Sequence, residues 1–162
     1  MTKPTADLLD AAALRMAAAD LLSRREHSRR ELFRKLSPRA ESADILNQVL
    51  DELTERGWQS DQRFTDSFVR SKSQRSIGPV RLRQELRQKG IADSQVRQGI
   101  GESDTDWFAM ALEAARRKAR GLDLDDQKDK AKLYRFLAYR GYTADQIQYA
   151  INECRSSDDD DQ

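Results

Sequence analysis

Six positions in the middle of the chain recur 51 residues later with the same chemical character. Leu82, Leu86, Gly90, Ile91, Val96 and Ile100 match Leu133, Leu137, Gly141, Tyr142, Ile147 and Ile151. Leu32 and Leu36 stand 50 residues before Leu82 and Leu86, and Ile45 and Val49 stand 51 before Val96 and Ile100. A fixed period of this length is the mark of a repeat architecture, in which each unit is one supersecondary element stacked on its neighbours. The apolar spacing is helical almost throughout, and no segment keeps a period of two. The expected fold is therefore all-α: three tandem three-helix, helix-turn-helix-like repeats forming an elongated, curved body. The division expected is 1–60 for the first repeat with its N-terminal extension, 61–103 for the second, 104–155 for the third, and 156–162 for a disordered acidic tail.

The spacing and punctuation predict nine helices. The first runs from about Thr5 to Leu22 with Leu9, Ala13, Met16 or Ala17, and Leu21 on one face. Ser28, with Glu31 three residues on, has capping-box spacing and opens the second, which Ser37-Pro38 ends. A third from about Ser42 to Arg56 turns Ile45, Val49, Leu50 and Leu53 inward, with Gly57 and Trp58 as its stop. Asp61 to Gln74 is the fourth, burying Phe64 and Phe68. Pro79 sits in the first turn of the fifth, where its missing N–H loses no helical bond. Asp93 caps the sixth. Asp104 or Thr105 starts the seventh, the eighth covers about Asp126 to Arg140, and Thr143 caps the ninth. Trp58, Phe64, Phe68 and Trp107 are expected in the cores.

Composition agrees with small cores. Hydrophobic residues make up 38% of 162 and charged ones 35%, which suits narrow apolar stripes and broad solvated faces. The net charge of +1 conceals an uneven distribution. Residues 61–101 hold 9 Lys/Arg against 4 Asp/Glu, while residues 102–162 hold 10 against 14. Eight cations and two carboxylates lie between Arg70 and Arg97. Clustered charge of one sign is an electrostatic footprint for phosphate or for an acidic protein surface. Arg70, Lys72, Arg75, Arg81, Arg83, Arg87 and Lys89 are the candidate contact residues. By the repeat, Lys132 matches Arg81 and Arg140 matches Lys89. With Lys130 they form a second, weaker patch.

Nothing in the chain has catalytic spacing. His27 is the sole histidine, placed as a surface or capping residue. Cys154 is the sole cysteine, so no intrachain disulfide forms. Carboxylates on a loose tail lack the fixed geometry a metal ion needs. No cofactor is expected. The start shows no signal-peptide core. The most apolar run, residues 11–22, is broken by Arg15 and Asp20 and cannot span a bilayer. A cytoplasmic monomer is expected. Three-helix units resemble DNA-reading modules, but the third helices are poor in cations, whereas base reading wants that helix in the major groove. A stand-alone nucleic-acid-binding module and an interaction scaffold remain open readings.

The run Gly57-Trp58-Gln59-Ser60-Asp61, Arg63-Phe64 and Phe68-Val69 leads into Gly78-Pro79, Arg81-Leu82, Glu85-Leu86 and Lys89-Gly90-Ile91. Together they resemble the signature of the RecX family of recombination regulators. Arg135-Phe136-Leu137 and Arg140-Gly141-Tyr142 resemble that family's C-terminal repeat. The likeness covers about residues 8 to 155 and excludes the acidic tail. It implies an all-helical protein, not an enzyme, that binds the RecA recombinase in its filament on single-stranded DNA. It further implies that ATP hydrolysis, strand exchange and RecA-stimulated repressor cleavage fall, because filament growth is blocked or disassembly is favoured. Direct DNA contact in the filament groove is compatible with the basic face.

Overall fold

The structure, a computed structural model, describes residues 7–160. Among them are nine α-helices and one short 3-10 turn, with no β-strand beyond an isolated bridge between Leu9 and Ala40. The helices are α1 (Ala11–Arg24), α2 (Arg29–Leu36), α3 (Ala43–Glu55), α4 (Asp61–Gln74), α5 (Pro79–Gln88), α6 (Asp93–Gly101), α7 (Trp107–Lys118), α8 (Gln127–Arg140) and α9 (Ala144–Asp160). They pack in consecutive triplets, each around its own core. Leu14, Leu32, Leu36, Leu46, Leu50 and Leu53 centre the first, and Phe64, Leu82, Leu86 and Val96 the second. Leu133, Leu137, Tyr142, Ile147 and Ile151 centre the third. Three small cores in series, rather than one large one, are what a chain with so much charge can fill.

All six repeated positions between the second and third units are buried except Gly90, which is half-buried. Between the first and second units the period needs correction. Leu46, absent from the expected stripe, is fully buried, whereas Ile45 is only partly so. Leu46, Val49 and Leu50 therefore match Val96, Gly99 and Ile100 at a constant offset of 50. Helix α1 also differs. The expected start near Thr5 lies outside the described residues, but Leu9 is bridged rather than helical: its N–H donates to the Arg39 carbonyl at 2.7 Å. Asp10 caps α1 through the Ala13 N–H, and Leu14 and Ala18 face inward while Met16 is 76% exposed. A helical stripe rotates by 100° per residue, so one wrong anchor turns the predicted face.

Local signals place most ends. Ser28 and Glu31 form the capping box in full. Asp106, not Asp104 or Thr105, caps α7. Ala92 precedes α6, and Asp93 stands in its first turn. Trp58 is 52% exposed: its backbone N–H closes α3 on the Leu53 carbonyl, but its ring stays outside the core. Phe68 and Trp107 pack against the second core only partly buried. The tail was expected to be disordered from Ser156. Instead α9 continues through Asp160, with the Ser156 and Ser157 hydroxyls donating to the carbonyls of Asn152 and Glu153. No Gly or Pro interrupts those residues. His27 is buried, 2% exposed, and not a surface residue. Its Nδ1 lies 3.0 Å from the Arg25 carbonyl, an acceptor only, so Nδ1 carries the proton. Burial lowers its pKa, with the charges of Arg25 and Lys35 acting the same way.

The units join through their middle helices. Gly141, just past α8, has φ +99, and a Cβ there would meet the Arg81 Cβ at 2.3 Å. Gly90, just past α5, has φ +81, and a Cβ there would meet Arg30 at 2.8 Å. The C-terminal end of each middle helix thus abuts the first turn of the preceding unit's middle helix. At the second junction the two ends satisfy each other. The Gly78 N–H donates to the Arg140 carbonyl at 2.8 Å, and the Val80 N–H to the Gly141 carbonyl at 2.9 Å. Helix α5 has no side-chain cap, so the carbonyls at the end of α8 take that role.

Candidate partner-binding surface

The ten cations singled out in the sequence fall into two groups. Arg83 is exposed on α5, and its side chain makes no ion pair or hydrogen bond among the described residues. Arg70 and Lys132 are also exposed, Lys130 is partly so, and none of the three has a side-chain partner among those residues. Arg75 is exposed, with its backbone engaged but its side chain without a partner among those residues. Lys72 is half-buried, its ammonium 5.4 Å from the Phe68 ring centroid. These six are available to a partner at little cost.

The other four serve the fold. Arg87 reaches Asp93 at 3.0 Å, with both side chains more than half exposed. Arg81 pairs with Glu85 at 3.4 Å, lies over Tyr139 at 5.4 Å from its centroid, and covers Gly141. Arg140 donates to the Arg75 carbonyl at 3.0 Å and faces Phe136. Lys89 bridges 58 residues to Glu31 at 3.2 Å. The positive face of α5 is therefore partly neutralised, and Arg83 is its unpaired centre.

The Lys89 contact belongs to a cluster around one buried carboxylate between the first two units. Glu31 is 8% exposed and accepts from Arg25 at 3.0 and 3.2 Å, from the Ser28 N–H at 3.1 Å and from Lys89. Burial pushes its carboxyl up. The bonds from Arg25, Ser28 and Lys89 outweigh that and bring it down to about 2. Asp61 adds to the same junction by accepting the Arg29 N–H at 3.0 Å.

Several surface cations escaped the sequence reading. On α8, Lys128 and Arg135 are exposed and share a face, at helical spacing, with the already named Lys132. On α7, Arg116, Arg117 and Lys118 end the helix together. The run Arg116-Arg117-Lys118 is visible in the sequence, but the net negative charge of residues 102–162, set by Asp158 to Asp161, hides it. Among the described residues no group of His, Cys, Asp or Glu is placed to hold a metal ion, and no helix is long and apolar enough to cross a membrane.

A tandem array of three-helix units with charged outer faces is a repeat architecture, which presents an extended surface suited to binding. Family models for the first, second and third three-helix domains of RecX match residues 15–53, 60–100 and 104–151. The chain is 42% identical over 142 residues to the regulatory protein RecX of Ectopseudomonas mendocina, covering 88% of this chain and 95% of that one. It is 44% identical to the regulatory protein RecX of Chromobacterium violaceum over 148 residues, 91% of this chain and 93% of that one. The crystal structure of RecX from Lactobacillus salivarius superposes with a TM-score of 0.78 at 23% identity, covering 90% of this chain and 97% of that one. The chain belongs to the RecX family of regulatory proteins.

Proposed function

We propose that this protein binds the RecA recombinase assembled on single-stranded DNA and restrains it, by blocking filament growth or favouring disassembly. ATP hydrolysis, strand exchange and RecA-stimulated repressor cleavage fall as a result. The observation that carries the reading is family membership along nearly the whole chain, at 42% identity to a regulatory protein RecX over 88% of its length. The three units, residues 1–60, 61–103 and 104–155, act as successive contact modules for neighbouring filament subunits, and the protein works as a cytoplasmic monomer without a cofactor. Arg83, Arg70, Arg75, Lys72, Lys130 and Lys132 supply the long-range attraction. Arg81, Arg87, Lys89 and Arg140 act mainly by holding the surface in shape, because each already has a partner.

The test is single-stranded-DNA-dependent ATP hydrolysis by RecA with this protein titrated well below one per RecA. Hydrolysis is expected to fall. The reversal Arg83→Glu should leave helix content intact and raise the half-inhibiting concentration about three- to tenfold, since an exposed charge contributes up to about 1 kcal/mol and its reversal also adds a repulsion. Unchanged inhibition by the folded variant would remove the α5 face from the interface. Steady hydrolysis, together with tight and salt-sensitive DNA binding by the protein alone, would favour a stand-alone nucleic-acid-binding module instead.

A further inference from the structure

A shallow cleft of about 360 Å3 opens where the second and third units meet. Arg75, Ser76, Arg117, Lys118, Phe136 and Arg140 line it. Four of these are cations, brought together from the end of α4, the last turn of α7 and the last turn of α8. The Lys118 ammonium lies 5.2 Å and the Arg140 guanidinium 5.8 Å from the centroid of the Phe136 ring. Arg140 donates one bond to the Arg75 carbonyl, and its Nε is buried without an acceptor. The cleft has little negative charge to balance this. Among the described residues, the one ion pair involving these four cations is Arg117 with Glu113, at 3.9 Å and with both side chains more than half exposed. Gathering four like charges around one recess is unfavourable unless an anion shares it.

Ser76 gives the second observation. It alone among the described non-glycine residues has a positive φ, 63°. Its N–H donates to Ser73, and the next N–H, of Ile77, to Lys72, both at 3.1 Å. In that helix ending the left-handed residue is usually glycine, because a Cβ is disfavoured there. The serine does what a glycine could not: its hydroxyl accepts a bond from the Arg117 guanidinium, 41 residues away. A disfavoured backbone is thus kept where its side chain holds a guanidinium at the mouth of the cleft, the kind of placement found at ligand clamps.

We propose that this cleft is a phosphate-binding site. Guanidinium groups present paired donors that match phosphate oxygens, and a lysine adds a point charge. The phosphate comes either from the backbone of single-stranded nucleic acid or from a free polyphosphate. The site is a property of this chain alone and does not rest on the RecA reading.

The test is fluorescence anisotropy of a labelled oligothymidylate with the purified full chain, with pyrophosphate and ATP as competitors. Arg117→Gln and Lys118→Gln should each weaken binding about five- to tenfold, as expected for a charged hydrogen bond to phosphate. Arg39→Gln, at an exposed arginine of the first unit, should change it less than about twofold. Ser76→Gly relieves the backbone, so its melting temperature should hold or rise while its affinity falls. Oligonucleotide binding that millimolar pyrophosphate does not displace assigns the site to the nucleic-acid backbone. Displacement, with ATP binding also lost in the variants, assigns it to a free polyphosphate. Equal affinity of the cleft variants and the Arg39 control, for oligonucleotide and polyphosphate alike, overturns the proposal. Full affinity in Ser76→Gly overturns the role given to its hydroxyl.

Discussion

Gly141→Ala is expected to lower the unfolding free energy by about 2–4 kcal/mol and to loosen the joint between the second and third units. Two costs combine. The backbone at φ +99 is left-handed, where a Cβ costs about 1–2 kcal/mol. The added methyl would also stand 2.3 Å from the Arg81 Cβ and 2.7 Å from its backbone nitrogen. Forcing extra atoms into a closed contact costs about 1–3 kcal/mol. Relief requires the end of α8 to withdraw from α5, which strains the bonds from Gly78 and Val80 to the carbonyls of Arg140 and Gly141. Gly57→Ala is the control: its φ is also positive, +75, but nothing lies within 4 Å of the added methyl. It should cost about 1–2 kcal/mol, the backbone share alone. Chemical denaturation of both variants separates the two shares. Equal losses would mean that the contact at Arg81 is not tight.

Glu31 carries the other large effect. Its carboxyl is held at about 2, against 4.5 when unperturbed. A folded-state value depressed in this way contributes stability that is fully present above pH 4.5 and is lost as pH falls toward 2. The shift corresponds to about 3 kcal/mol. Glu31→Gln should therefore be less stable than the natural protein at pH 7 and should converge with it in acid. The difference curve, from denaturant midpoints at several pH values, isolates this one carboxylate from the others. Glu31→Ala should cost about 3 kcal/mol at pH 7, close to what the shift gives, because the cations left behind are exposed enough to be rehydrated. It removes the acceptor of Arg25, Lys89 and the Ser28 N–H together. Because Lys89 belongs to the second unit, the loss should also reduce cooperativity between the first two units. A flat difference curve would show that Glu31 is not selectively stabilised as the carboxylate.

The helical class, the three units and most helix ends were legible in the sequence because their causes are local. Ser28 and Glu31 form their cap within one turn, and Pro79 suits the first turn of any helix. The match of Leu82 and Leu86 to Leu133 and Leu137 requires only that one supersecondary unit be written more than once. The misses also have local explanations. The face of α1 depended on where the helix starts, and a bridge from Leu9 to residues 39–41 decided that from outside. Ile45 was preferred over Leu46 because neighbouring apolar residues both fit a helical stripe, and only the packed core chooses between them.

The candidate surface was legible as charge and illegible as geometry. That the second unit is basic follows from its residue types, which carry their charge in any fold. Tertiary structure alone decided which cations are free. Lys89 is engaged by a carboxylate 58 residues away, and Arg140 by a carbonyl 65 residues away. Arg117, from the third unit, joins Arg75 of the basic second unit through Ser76. Helix periodicity reports which way a residue faces on its own helix. It carries no information about which distant segment arrives on that face, and the pairing of charges is settled there.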